Sequence, residues 1–558
     1  MPDIYITHPA LEYWRSGQYG GRGYLTQSWM DFRSKDGMLS TMALCVELVF
    51  GGDKVIRVAT RDIKVTDQDG YQIHFQPLLA DQPSIKYDYT VGSGSSSAQS
   101  ISLSLPSALV NPQDLIANNK MLAGIGEVSL LFDGAEYEDR IVVIRGEMDS
   151  GVTFGPAGTF IETSVVDPKD GADVSLPPYV VTEDGFSDAP DESIGERFQL
   201  IMPAFNYVPA IFVKGSATGT LPYAMVCEGH GLSIDKVYVD GVEYATSDAI
   251  YGWETVKLLD GNGNPYTAIY FNVATSVFDF SEGVYADLSG GSKSINNPIA
   301  QIRTLATEYS VLRQKGINAP LFSKAESRLA NLNSRVCVNA GGASNTSTLS
   351  FIEGEFLSSF PMVSMVFQNG SYGPIVTDRT QVELVVDYLT AGQSPLMSRS
   401  TIVSETPRTE VFNEFTLRYS YNAMDDVYES VETRTRDTSI ICRVSQDLVG
   451  YRPMDVIDSV WITESATANA VIDWMVAHQS LPSYYVEYQA HPWMFFRLNR
   501  GDNIRLTDVE FGWSEQIATV QSVTLEAGIC TIGFRVWSLY TSIGGGAQSF
   551  SKVEVAAQ

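Results

Sequence analysis

Residues 297–316 read NPIAQIRTLATEYSVLRQKG and carry a helical period into a chain otherwise patterned for strands. Asn297-Pro298 has the form of an N-cap followed by proline in the first turn, where the missing N–H costs nothing. Ile299, Ile302, Leu305, Ala306, Tyr309 and Leu312 then recur at three- and four-residue steps and draw one apolar stripe. Lys315-Gly316 predicts the stop, a cation in the last turn followed by a residue free to turn left-handed. A second helix is expected from about Pro320, with Leu321, Phe322, Ala325, Leu329 and Leu332 on one face. A third is expected from about Leu349 to Phe360, ended by Pro361 and weakened by Gly354. Met362 to Gln368, the pair Asn369-Gly370 and Tyr372 to Val376 predict a tight hairpin. Glu308, Glu326, Glu353 and Glu355 are expected to be solvated charges of this α+β module.

Length and composition set the frame around it. A chain of 558 residues has room for about four domains at ~150 residues each. The expected division is 1–180, an N-terminal β domain; 181–295, a second β-rich domain; 296–376, the α+β module; and 377–558, one helix and a small β-barrel. The fold class is mainly β with an α+β insert. Charged residues at 18% and aromatics at 11% describe a folded chain. A formal net charge of -29 argues against adhesion to nucleic acid or to an anionic membrane, because phosphate affinity comes from clustered Lys and Arg. Met1 to Trp14 lacks a basic-then-apolar signal pattern, and no apolar run approaches the ~20 residues that span a bilayer. The five cysteines, Cys45, Cys227, Cys337, Cys442 and Cys530, are odd in number and scattered, as reduced thiols are.

Ahead of the module, GQYGGRG at Gly17 to Gly23 reads as an exposed loop. Met38 to Phe50 and Lys54 to Val65 read as strands, and Val91 to Ser100 as a loop tip or short linker. Ile101 to Leu105 alternates as a half-buried strand does, and Asn111 to Ala123 suits a short helix. Glu127 to Phe132 and Tyr137 to Arg145 are expected to pair about Asp133-Gly134. Asp167 to Asp191, rich in proline and Asp-Gly pairs, is a candidate boundary. Lys236 to Tyr244 predicts a hairpin tipped by Asp240-Gly241, and Asp260 to Pro265 a turn leading into Tyr266 to Val273. Beyond the module, Val411 to Tyr421 and Thr438 to Val444 read as strands. Glu464 to Gln479 reads as a helix with Ala470, Val471, Trp474 and Met475 facing inward, closed by Pro482. Tyr484 to Tyr488, Trp493 to Leu498, Asn503 to Leu506, Glu515 to Val523 and Ile529 to Trp537 predict a small barrel or sandwich.

Candidate chemistry is thin. Glu136, Glu138 and Asp139, with Glu127 and Glu147, offer paired carboxylates of the kind that glycoside hydrolysis uses, or simply the outward charges of a hairpin. Cys227 and His230 have half of a zinc spacing without a second pair. Asp260, Asn262 and Asn264 have the one-three-five spacing of a calcium loop, but Phe271 stands where the distal Glu belongs. His8, His74, His230, His478 and His491 fall in unrelated contexts. There is no G-x-S-x-G elbow, no H-E-x-x-H and no phosphate-cradling glycine loop. No catalytic, cofactor or metal residue is assigned.

Leu498-Asn499-Arg500-Gly501-Asp502-Asn503-Ile504-Arg505-Leu506 resembles the "L-x-x-G-D-x-v-x-l" entry to the last β domain of tailed-phage tail hub proteins. The order "N-P, helix, I-N-A-P-x-F helix, hairpin with N-G-x-Y-G-P-I" is similar to the α+β part of tail-tip and baseplate hubs. The first 295 residues match only in their β character. The resemblance implies a virion structural protein and no enzyme. It would form a homotrimeric ring whose two barrel-like domains per chain cap the hexameric tail tube. The tube or distal tail protein and a central fibre or spike would be its partners, and DNA would cross the lumen without specific binding or membrane insertion. It implies a place at the tail tip or baseplate, after synthesis in the host cytoplasm. The chain departs from some hubs in having no fused fibre or lysozyme and no compact set of four cysteines for an iron–sulfur cluster. The alternatives are a receptor- or carbohydrate-binding tail protein using Tyr19, Tyr24, Tyr251 and Trp253, or a wall-degrading hydrolase.

Overall fold

The computed structural model describes residues 42–50, 54–79, 85–88, 100–106, 124–132, 135–148, 153–154, 160–166, 174–214, 222–229, 231–272, 283–290, 295–310, 312, 316–338, 346–368, 371–379, 385–393, 395–400, 404–491, 494–526 and 529–537. The chain is mainly β, in several sheets, with a helical insert. Its apolar side chains gather into two large cores that do not follow chain order.

One core joins the two ends of the described chain. The leading sheet runs, in spatial order, Lys54–Ala59, Met42–Phe50, Ile125–Phe132, Ile141–Met148, Phe160–Val166 and Ser100–Pro106. The terminal sheet runs Val385–Thr390, Asn503–Asp508, Trp513–Glu526, Ile529–Trp537, Ser483–Ala490 and Leu396–Arg399. Its edge strands, Val385–Thr390 and Leu396–Arg399, are consecutive in sequence. The short link between them bonds to both edges: Ala391 N donates to Thr507 O (2.9 Å), and His491 N donates to Pro395 O (3.0 Å). The short link draws the two edges toward each other, so the sheet curls as part of a barrel does, with no ladder between the edge strands among the described residues. The strand Ile85–Asp88 lies within the leading section, yet it pairs antiparallel with the long terminal strand, Ile85 opposite Leu525 and Asp88 opposite Ser522. Leu44, Val46, Leu48, Leu130 and Ile144 of the leading sheet share a core with Val486, Leu506, Val520, Ile532 and Phe534 of the terminal sheet.

The second core belongs to a mixed body, the helical body, in which helices pack against strands; it is assembled from residues between Leu176 and Val376 together with Phe415 to Leu481. Asn297 caps the Pro298–Glu308 helix, its Oδ1 accepting from the Ile299 and Ala300 amides, and its Nδ2 donates to Leu329 O (2.8 Å). Replacing Asn297 by alanine removes both roles, and a loss of about 1 kcal/mol is expected in denaturant unfolding. Asn318 caps the next helix, Ala319–Arg328. The third helical stretch, 348–359, is irregular: α at Thr348–Ser350, π at Phe351–Glu355 around Gly354, and 3-10 at Phe356–Ser359. The hairpin follows as Val363–Gln368 and Ser371–Val376, with Gln368 opposite Ser371. The Ser233–Val239 and Val242–Tyr244 hairpin turns on Asp240 (φ 52°) and Gly241 (φ 77°), the left-handed pair that a two-residue turn needs.

Several expectations are corrected. The first helix ends at Glu308, because Ser310 Oγ bonds Ala306 O (2.5 Å) and accepts from Leu312 N (3.1 Å), closing the turn early. Lys54 to Val65 is two strands, Lys54–Ala59 and Ile63–Thr66. Tyr137 begins a 3-10 turn, and its strand starts at Ile141. Thr438 to Val444 is not a strand: Ser439 caps a helix, Ile440–Val449. Trp493 to Leu498 is likewise not a strand, since Met494–Arg497 is helical. Ala470 is exposed on the Ser465–Gln479 helix, whereas Val471, Trp474 and Met475 are buried. Glu353 is buried and accepts from Tyr372 Oη (3.1 Å). Expectations at Gly17 to Gly23, Asn111 to Ala123 and most of Val91 to Ser100 lie outside the described residues.

Candidate functional site

The residues Leu498 to Asn503, which enter the terminal sheet, form a clip that holds the helical body. Leu498 is fully buried in the barrel core. Arg500, also buried, sends Nη2 across the gap to Phe367 O of the hairpin (2.8 Å). Asn503 Nδ2 donates to Asp378 O (2.7 Å) and Arg328 Nη1 to Val376 O (3.2 Å). Asp502 accepts from its own turn at Asn499 N (2.8 Å) and faces Lys324 Nζ at 3.7 Å. Burial raises the Asp502 carboxyl above its ordinary range, with Lys324 opposing, and burial lowers the Lys324 ammonium. Gly501 sits at φ 79°, and a Cβ there would lie 2.1 Å from Ile375 Cγ2. Glycine is needed both for the turn and for the close approach of barrel to hairpin. The crevice beside Lys324 and Asp502 has a volume of about 40 Å³, room for a few waters but far below the hundreds of Å³ of a small-molecule site.

A second contact lies beside the clip. Trp474 and His478 project from the Ser465–Gln479 helix, stacked at 4.2 Å. The His478 ring meets the edge of Trp537, the last described residue of the terminal sheet, at 5.0 Å. The connecting residues thread between: Trp474 Nε1 donates to Thr377 O (2.6 Å), and the Arg379 amide donates to His478 Nε2 (3.3 Å). The guanidiniums of Arg379 and Arg535 lie over the Trp537 ring at 5.2 and 4.6 Å.

The carboxylate candidates do not form a cleft. Glu136 and Glu147 are exposed, and Glu138 and Asp139 are half-buried. Glu127 is buried and directly opposite Glu47 on the neighbouring strand, which is opposite Arg57, while Glu127 is also opposite Arg145. The four make a charged row across the leading sheet. Arg140 Nε donates to Glu127 Oε1 (2.6 Å), Arg145 Nε to Oε2 (2.9 Å) and Arg57 Nε to Glu47 Oε2 (2.6 Å). Tyr137 Oη reaches Glu47 (3.2 Å), with Arg140 stacked over its ring at 3.9 Å. Burial alone would raise Glu127, but Arg140 and Arg145 outweigh it and hold the carboxyl at about 2. Such a group stays ionised at working pH and cannot give a proton to a leaving group. The signal for this row was a lone Glu inside an apolar run, as in LCVELVF at 44–50.

The remaining candidates resolve simply. Asp260 Oδ1 accepts from the Asn262 and Asn264 amides (2.9 and 2.7 Å) and Oδ2 from Asn264 Nδ2 (2.9 Å), so the carboxylate of the calcium-like spacing is spent on its own turn. Cys227 is buried, and His230 lies outside the described residues. All five cysteines are buried free thiols. His74 pairs with Asp62 at the surface, and His491 is half-buried. Tyr251 stacks edge-on against Tyr244 at 4.7 Å, and Trp253 is buried with Nε1 donating to Tyr244 O (2.9 Å), so these aromatics pack within their own sheet corner. Tyr19, Tyr24 and His8 lie outside the described residues. Among the described residues no helix is long and apolar enough to cross a membrane, and no cluster of three potential metal ligands occurs.

No family model matches the chain, and no curated protein does. Solved structures give likenesses. The tail protein from Neisseria meningitidis MC58 aligns over 89% of this chain and 96% of its own, at 10% identity and a TM-score of 0.38. A chain of the virion of the native gene transfer agent particle covers 48% of this chain and 85% of its own, at 13% identity and a TM-score of 0.21. A chain of the p2 virion baseplate in its activated conformation covers 65% of this chain and 98% of its own, at 9% identity and a TM-score of 0.17. Likenesses at these scores leave the functional reading to the residues themselves.

Proposed function

We propose that the chain is a structural hub of a phage tail, an assembly protein without catalysis. The observation that supports it best is the stitching of the two sheets: the strand Ile85–Asp88 leaves the leading section to pair with Trp513–Glu526, and both sheets share one core. Two sheet units held side by side in one chain give a trimer six near-equivalent faces for a sixfold tube. The helical body, clipped to the terminal sheet at Arg500 to Asn503, then sits off the ring toward a fibre or spike. The division into leading barrel, second β-rich unit, α+β module and terminal barrel belongs to this reading. The net charge of -29 suits a lumen that DNA crosses without adhering.

The test is the mass of the purified full chain, alone and after addition of its tube protein, followed by imaging. A threefold assembly with a central hole is expected. A monomer in both conditions, with no ring on the tube end, overturns the proposal.

A further inference from the structure

The two large cores are separate, and between them lie the hydrogen bonds of the clip and the Trp474–His478–Trp537 contact. The small apolar cluster beside the clip, Val366 and Ile375 with Leu321, lies within the module itself. Beside it sits a buried histidine whose hydrogen bonds fix its protonation. His478 Nδ1 lies 2.9 Å from Trp474 O, which can only accept, so Nδ1 carries the proton. Nε2 must therefore be bare to accept the Arg379 amide.

We propose that this contact is an acid-sensitive latch, in which protonation of His478 Nε2 sets two donors against each other, unseats Trp537 and lets the helical body part from the terminal sheet while both cores stay folded. The proton arrives on Nε2, the Arg379 N–H loses its acceptor, and a positive charge appears in a buried site. The charged groups acting on the ring are Arg379 from the connecting residues and Arg535 from the last strand, both cations. Asp378 stands beside Arg379 and partly offsets it. Trp474, on the histidine's own helix, supplies a carbonyl to Nδ1 and a stacked indole face at 4.2 Å, neither of them charged. Burial first, and then Arg379, holds His478 well below the ordinary histidine range, so the closed joint resists the proton that the open joint accepts. A base depressed in this way costs stability as pH falls below its value in the open form. The closed-to-open ratio drops about tenfold per pH unit below about 6.5. Once Trp537 lifts, the clip and the Thr406–Ser483 hydrogen bonds remain, and the clip's Lys324–Asp502 pair also weakens as Asp502 takes a proton in acid.

The inference concerns a single chain and stands whether or not the chain assembles into a ring. It is tested on the full chain by chromatography-coupled small-angle scattering and far-UV circular dichroism from about pH 7 to about pH 5. The radius of gyration is expected to rise with an unchanged dichroism spectrum. His478→Gln should stay compact throughout. Arg535→Gln, at a half-buried position, should move the opening to lower pH. An unchanged radius in the parent chain, opening of His478→Gln like the parent, or loss of the dichroism signal together with the expansion overturns the latch. If His478→Gln does not fold, Arg535→Gln decides, and an unmoved midpoint overturns it.

Discussion

Replacing Glu127 by glutamine is expected to cost about 3–5 kcal/mol of stability, because it removes the buried carboxylate that Arg140 and Arg145 both face inside the leading sheet. Arg140 is 1% and Glu127 2% exposed at the side chain, so water cannot replace the lost partner. Urea unfolding checks this, with a lowered midpoint at unchanged slope. The pH dependence gives a second readout. The Glu127 carboxyl stands at about 2 in the fold against 4.5 unperturbed. A depressed acid stabilises fully above its unfolded value and loses that contribution as pH falls through its folded one. The parent should therefore weaken between about pH 5 and pH 2, by on the order of 3 kcal/mol from this group, and the Gln variant should lack that component. Equal acid sensitivity in the two would refute the account. Substituting Glu127, Arg140 and Arg145 together by apolar residues of similar size should recover much of the loss, since the penalty is for an unpaired charge.

The second large effect is expected at Gly501. Alanine there meets a backbone at φ 79° and places a methyl 2.1 Å from Ile375 Cγ2. The left-handed backbone costs about 1–2 kcal/mol and the overpacking about 1–3 kcal/mol, so a total of about 2–5 kcal/mol is expected. The useful feature of this site is that the two parts separate. Ile375→Ala removes the opposing methyl while leaving the turn as it is. In the double variant the steric part should vanish and only the backbone part remain, a coupling of about 1–3 kcal/mol in a double-mutant cycle. Additive costs would mean that the clip does not bear on the hairpin. In the proposed assembly the same substitution should reduce ring formation, and Ile375→Ala should partly restore it.

Much of the architecture was legible because it rests on local chemistry. Asn297-Pro298 and Asp240-Gly241 satisfy or shape the backbone within a few residues of themselves, so they read the same in the string as in space. The failures share the opposite property. Thr438 to Val444 has the β-branched, apolar look of a strand, but the cap at Ser439 and the burial of Ile441, Cys442 and Ser445 at helical spacing decide for helix. Ser310 ends a helix with its own hydroxyl where the pattern of apolar residues ran on. The paired carboxylates near Glu136 looked like chemistry because they were close in sequence. Yet the carboxylate that the fold does use in a buried site, Glu127, is held by Arg140 and Arg145 from the following turn and strand, and it lies beside a second pair, Glu47 and Arg57, in the same row across the sheet. The Gly501-Asp502 pair was visible as a motif, but its purpose was not. Ile375, Phe367 and Asp378, against which it works, come from the far side of the central module.

The strand Ile85–Asp88 has a consequence for how the polypeptide is made. Its partner, Trp513–Glu526, leaves the ribosome long after it, so the leading sheet cannot be sealed as it emerges. Closure waits for that later segment, and a product cut short before it would display an unmatched edge at Ile85–Asp88.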